Sequence, residues 1–361
     1  MLDQCQLVCL RLGGLLVDIR ALICGCSGLD FTNEEVAALR LFSPWGLILF
    51  GRNIDTPQQV ARLTAKFREI VQREDAPVLI DQEGGRVQRL RPPHWRAFPA
   101  AKQLAGLASV AEMTEDDFIR LNSRMIATEL RHVGITIDCL PVLDVPVAGA
   151  HDVIGNRSYG MDSTVVARRG LAAARGLMDQ GVLPVMKHMP GHGRAEADSH
   201  LGLPVVRASH AELSASDFAA FAACRDLPLA MTAHIIFTSL DDQQPATQSP
   251  LIVENIIRGE IGFDGLLMSD DLSMKALSGS FADRTTAMFA AGVDMALHCN
   301  GNMDEMLAVA SATPALIGRA RERAEAALAS MRAPKPFDPV EAAAFCDDIL
   351  AKAASKPHAS P

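Results

Sequence analysis

The sequence of 361 residues has no excess of positive charge: 34 Lys and Arg stand against 43 Asp and Glu, a formal net charge of −9. A nucleic-acid binder needs a basic face to neutralise phosphates, so that partner is not expected. No apolar run reaches the roughly 18 residues that a membrane helix requires. The N-terminal stretch MLDQCQLVCLRLGGLLVDIR is interrupted by Arg11, Asp18 and Arg20 and has no basic segment ahead of an apolar block, so neither a membrane span nor a signal peptide is expected. Eight cysteines (Cys5, Cys9, Cys24, Cys26, Cys139, Cys224, Cys299, Cys346) lie at irregular intervals, which is not a disulfide framework. Cys24 and Cys26 lack a second pair at metal-binding spacing and read as small buried thiols. Unpaired thiols favour a reducing compartment, here the cytoplasm. No internal repeat is visible, and the motif H-E-x-x-H is absent.

Against these absences stands an ordinary globular composition, 49% apolar and 21% charged. Eight short apolar runs are spaced along the chain: 21–24, 46–50, 77–80, 135–142, 183–188, 227–234, 265–271 and 294–299. Near-continuous apolar runs are the mark of parallel strands buried on both faces. Helix signals fall between them. Thr32 with Glu35 forms a capping-box pattern, and Thr56-Pro57 with Gln59 opens a stretch with apolar residues at Val60, Leu63, Phe67, Ile70 and Val71. Ser249-Pro250 opens another helix, which Gly262 closes. Eight strand–helix alternations predict an α/β fold, a single (β/α)8 TIM barrel with a short C-terminal helical extension. The runner-up, a doubly wound sheet, wants a Gly-rich phosphate turn after its first strand, and GCSG at 25–28 matches G-x-G-x-x-G poorly. We divide the chain into an N-terminal extension (1–19), a barrel (20–332) and a C-terminal helix with a flexible tail (333–361).

Polar residues gather at the C-terminal ends of the predicted strands: Asp81, Asp144, Lys187, His188, His234, Asp270, Asp271 and His298. In a barrel these ends share one face, where barrel enzymes place their sites. Any one of them could merely cap a strand, but buried charge without a partner or a purpose is costly. The segment 187–204, KHMPGHGRAEADSHLGLP, carries the densest chemistry, with three His, two acids, Lys187 and Arg194. It reads as a long, mobile, exposed loop on a rigid strand end. Within it Asp198 stands two residues from His200, a pair that can tune an imidazole for proton transfer. DQEGGRVQR (81–89) adds Arg86 and Arg89, and NRSYG (156–160) adds Arg157.

The segments DQEGGRVQRL, NRSYG, KHMPGHG with DSHLGLP, and GLLMSDDLSM together resemble glycoside hydrolase family 3, its β-N-acetylglucosaminidase branch, over about residues 19–332. The resemblance implies a retaining hydrolase that releases terminal non-reducing N-acetylglucosamine from muropeptide fragments in cell-wall recycling. It implies Asp270 as nucleophile and His200 as acid/base with Asp198 as its partner. It implies Asp81, Arg89, Arg157, Lys187 and His188 as sugar-binding residues. It implies no cofactor and no metal. Met189 and Met268 stand where the family more usually has Phe, the first expected near the pocket. The single-domain, unexported branch of the family is the expected one. With only one Tyr (Tyr159) and two Trp (Trp45, Trp95), a pocket for one amino sugar is expected rather than a polysaccharide groove. The expected partner is thus a small amino-sugar molecule; a monomer is taken as the default state. Two readings on the same barrel stay open: phosphorolysis in place of hydrolysis, and a metal-dependent hydrolase using His188, His192, Asp198, His200, His234 and Asp270. A non-catalytic sugar sensor would be expected to lack Asp270 or His200.

Overall fold

The computed structural model describes residues 18–149, 152–195 and 202–355. Eight parallel strands form one sheet: β1 (Arg20–Cys24), β2 (Pro44–Leu49), β3 (Val78–Ile80), β4 (Ile137–Asp138), β5 (Leu183–Met189), β6 (Leu229–Thr232), β7 (Leu266–Met268) and β8 (Ala296–His298). Their spatial order is β7-β6-β5-β4-β3-β2-β1-β8, so sequential strands are neighbours and β8 returns to β1, with Ile23 opposite Leu297. The ring closes between β7 and β8 through a parallel bridge from Met268 to Met295 and through Ser269, whose N–H donates to the Met295 carbonyl. All eight apolar runs of the sequence are these strands, and the TIM-barrel expectation holds.

Side-chain alternation sorts the core into two layers. Ile23, Ile48, Leu79, Ile137, Val185, Met231, Met268 and Leu297, one from each strand, fill the inside of the barrel. Their neighbours along the strands face outward and pack with Val60, Leu63, Phe67, Ile126, Leu130 and Leu177 of the helices. The helices are α1 (Asn33–Phe42), α2 (Pro57–Val71), α3 (Ala101–Val110), α4 (Glu115–His132), α5 (Ser163–Asp179), α6 (210–222), α7 (Ile252–Glu260), α8 (Phe281–Ala290), α9 (Met303–Ala312), α10 (Gly318–Ala329) and α11 (Pro339–Ser355). The last is the C-terminal helical extension, pinned by an ion pair between Arg96 and Asp347.

Thr32 and Glu35 form the capping box read from the sequence, with the Thr32 N–H donating to Glu35 at 2.8 Å. Thr56 caps α2 with Pro57 as its first residue, but Gln59 does not reach back to Thr56. Its side chain instead accepts from the Asp55 N–H and donates to the carbonyls of Leu29 and Asn53, tying the helix start to the loop after β1. Ser249 accepts from the Ile252 N–H, and Gly262 ends α7 at φ +75°. The helix between these caps is widened to i→i+5 bonding, which periodicity alone did not suggest. No described helix is long and apolar enough to cross a membrane.

Candidate active site

The C-terminal mouth of the barrel opens into a cavity with about 730 Å³ of empty space, open solvent included. Asp81, Arg89, Arg157, Lys187, His188 and Asp270 all line it, together with His192, Asp271, Met274, Cys299 and the apolar side chains of Met231 and Leu297. Phe50 is the single aromatic carbocycle among these described liners. Asp198 and His200 lie outside the described residues.

Three cations and two carboxylates alternate along one wall. Arg89 meets Asp81 at 3.1 Å, Asp81 meets the Lys187 ammonium at 2.7 Å, and Lys187 meets Glu83 at 2.7 Å. Arg157 then grips Glu83 with two parallel N–H donors, each at 2.8 Å. Burial works against the charges of Asp81, Glu83, Arg157 and Lys187, yet the alternation overcomes it. Lys187 and Arg89 hold the Asp81 carboxyl well below its ordinary range, and Arg157 and Lys187 do the same for Glu83. Lys187 is itself held protonated by the two acids despite full burial.

The local sequence explains how these groups converge. Asp81 and Glu83 are two apart in an extended segment and so share a side. Gln82 points the other way and accepts from the N–H groups of Arg89 and Leu90, folding 82–90 into a hairpin that returns Arg89 to Asp81. Its turn needs glycine: Gly84 sits at φ +90°, and a Cβ there would come within 2.4 Å of the Pro99 carbonyl. Lys187 is aimed inward by the same alternation that buries Leu183 and Val185.

Across the cavity, Asp144 organises two histidines. Its carboxylate accepts from the His188 ring at Nδ1 (2.7 Å), from the His188 N–H at 3.2 Å and from the His192 N–H at 2.7 Å. Burial opposes its charge, but the His188 ring and these donors bring its pKa down to about 2. An ionised acceptor fixes the proton of His188 on Nδ1. Burial and the neighbouring His188 ring push His192 down to about 4, so that ring is neutral near pH 7.

Asp270 follows β7 and is half-buried at the cavity floor. Burial favours its neutral form, but the neighbouring imidazoles, His188 foremost, and the Asp271 N–H at 2.8 Å hold the carboxyl below its ordinary value. It is therefore a carboxylate at neutral pH, in a cavity it shares with Arg89, Arg157, Lys187 and His188.

Sequence reasoning leaves Glu83 out of the site and places Asp144 at the mouth without a role. The signal for Glu83 was present, since a residue two beyond Asp81 in a strand-like segment faces the same way. Two expectations need correction. The first part of the loop after β5 is not exposed: 190–193 and Ala195 are buried. It is packed because Gly193 lies against the Val145 carbonyl and Arg194 pairs with the buried Asp217 at 2.7 Å. Residues 196–201 of that loop lie outside the described residues. Second, Met189 is not at the pocket; it belongs to the outer core layer, among the strand faces that meet the helices. Arg86, from the same segment as Arg89, does not line the cavity. It is half exposed and donates to the carbonyls of Asp152 and Val153, stapling two loops at the rim.

The described cysteines are all free and buried. Among the described residues no group of three or more His, Cys, Asp or Glu is arranged to hold a metal ion.

Comparison with known proteins agrees with this geometry. The sequence profile of the glycosyl hydrolase family 3 N terminal domain matches residues 16–327. A β-hexosaminidase of Pseudomonas aeruginosa (strain LESB58) is 39% identical over 302 residues, covering 83% of this chain and 86% of that protein. The crystal structure of NagZ from Neisseria gonorrhoeae in complex with N-trifluoroacetyl-D-glucosamine superposes with a TM-score of 0.78 at 31% identity, covering 94% of this chain and 97% of that one. A family 3 β-N-acetylglucosaminidase from Paenibacillus sp. str. FPU-7 gives a TM-score of 0.81 at 29% identity, covering 92% of this chain and 67% of that one. The chain belongs to glycosyl hydrolase family 3.

Proposed function

We propose that this chain is a retaining β-N-acetylhexosaminidase that removes terminal non-reducing N-acetylglucosamine from muropeptide fragments, in the cytoplasm, as a step of cell-wall recycling. The coarse activity is that of a glycoside hydrolase, a β-N-acetylhexosaminidase, in keeping with relatives of that name. The finer reading rests on one observation: an ionised carboxylate, Asp270, stands at the floor of a cavity that is also lined by the fixed cations Arg89, Arg157 and Lys187 and by the imidazole of His188. The catalytic unit in this reading is residues 20–332, with 1–19 and 333–361 as extensions.

The mechanism has two displacements. Asp270 attacks the anomeric carbon as His200, oriented by Asp198, gives its proton to the departing oxygen. A water then attacks the glycosyl ester, giving its proton to His200 and freeing Asp270. Most retaining glycosidases use two carboxylates about 5–5.5 Å apart; an imidazole in place of one removes the repulsion between them. Arg157, Lys187, Arg89 and Asp81 hold sugar hydroxyls, and His188 adds a ring whose proton location Asp144 sets.

The test is hydrolysis of a chromogenic β-N-acetylglucosaminide followed by proton NMR in phosphate buffer. The β-anomer of free N-acetylglucosamine should appear first, and Asp270→Ala should abolish turnover. His200→Ala should slow substrates with poor leaving groups far more than activated aryl glycosides. First appearance of the α-anomer, release of a sugar 1-phosphate, or equal losses on both substrate types would each contradict the reading.

A further inference from the structure

Behind the cavity floor runs a buried polar chain that meets the liner Asp271 at its carbonyl. Thr232 ends β6, and its hydroxyl lies 2.8 Å from that of Thr247 in the turn after β6. The Thr247 hydroxyl is 2.7 Å from Nδ1 of His234, and His234 Nε2 is 3.0 Å from the carbonyl of Asp271. All three side chains are fully buried.

Elementary chemistry fixes the direction of this chain. A carbonyl only accepts, so Nε2 of His234 carries the proton, and Nδ1 of the neutral ring must accept from Thr247. Thr247 has one hydroxyl proton and two acceptors in reach, His234 Nδ1 at 2.7 Å and the Ala233 carbonyl at 3.1 Å; the shorter contact takes it, which leaves the Thr247 oxygen to accept from Thr232 at 2.8 Å. Residue 271 is gripped from three further sides. Its carboxylate accepts from the Ser273 hydroxyl at 2.5 Å and from the Cys299 N–H at 3.0 Å, while its carbonyl also accepts from the Met274 N–H at 3.0 Å. Its own N–H is the donor to the Asp270 carboxylate. Residue 271, whose N–H orients Asp270, is thereby tied through its carbonyl to the segment after β6 and through its carboxylate to the end of β8.

We infer that His234 and Thr247 are positioning residues for Asp270: the Thr232–Thr247–His234 chain clamps residue 271, and the clamped N–H sets the orientation of the attacking carboxylate oxygen. This rests on Asp270 being the nucleophile. Neither side chain reaches the sugar, so their loss should slow formation of the ester and leave ground-state binding alone.

Thr247→Val keeps the shape and removes the proton that Nδ1 needs, whereas Thr247→Ser restores it. The full chain is mixed with a 2-acetamido-5-fluoro-glycosyl fluoride, and the adduct is timed by intact mass spectrometry and located by peptide mapping. The inhibition constant of free N-acetylglucosamine is measured alongside. We expect Thr247→Val to form the Asp270 adduct roughly 10- to 100-fold more slowly, with an unchanged inhibition constant, and Thr247→Ser to label at the wild-type rate. If wild type is labelled on Asp270 and Thr247→Val is labelled equally fast, the inference fails and the nucleophile assignment survives. If the serine variant is as slow as the valine variant, or if the valine variant also loses N-acetylglucosamine binding, the role is general packing and the inference again fails. An adduct on another wild-type residue overturns the nucleophile assignment itself.

Discussion

Glu83 is a buried carboxylate shared by two cations. It faces both Lys187 and Arg157 at hydrogen-bond distance from a site that water barely reaches. Glu83→Gln would keep the size and leave two buried cations short of one countercharge. Removing one member of a buried pair costs about 3–5 kcal/mol, so we expect a loss of about that size in urea unfolding, together with weaker substrate binding. A second residue gives a pH-dependent test. Asp138 is fully buried in β4; one oxygen accepts from the Gln82 N–H at 2.9 Å and the other has no partner. Burial raises its pKa to about 8. A carboxyl whose folded pKa lies above its unfolded value contributes stability below the unfolded value, and that contribution is lost as pH rises toward 8. Asp138→Asn should therefore melt several degrees higher than wild type at pH 8, with the gap closing near pH 4. A gap that is the same at both pH values would contradict the burial argument.

At the scale of elements, the barrel was readable from the sequence because each strand is a short apolar run buried on both faces, and the helices between them carry their own caps. The mouth was readable in outline for the same reason: polar residues at strand ends can only face one way once the strands are parallel. What stayed illegible was pairing. Nothing in the spacing of DQEGGRVQR says that Gln82 folds the hairpin and so returns Arg89 to Asp81, and nothing local links Asp144 to His188 across 44 residues. The first part of the loop after β5, residues 190–195, reads as exposed because its Gly and charged residues look like a solvated loop. Its glycines instead permit close packing, and its Arg194 has a buried partner. A Cβ on Gly193 would lie 2.0 Å from the Val145 carbonyl oxygen, which is backbone and has nowhere to yield. Gly193→Ala should thus displace the loop and lower turnover at least tenfold on an order-of-magnitude view of misplacement costs, with circular dichroism unchanged. Full activity in that variant would show that the close approach does not matter.

For the whole molecule, the charge pattern and the closed ring act together. The ring brings residues from β3, β5 and β7 and the loops beyond them to one cavity, and the alternation of cations with carboxylates keeps Asp81, Glu83 and Lys187 ionised against the cost of burial. The account turns on which side chain bonds to the sugar. Exposure of the wild-type chain to a 2-acetamido-5-fluoro-glycosyl fluoride, followed by digestion and tandem mass spectrometry, should place a single glycosyl adduct on Asp270. An adduct on any other residue, or turnover of the reagent with no adduct at any time, would contradict it.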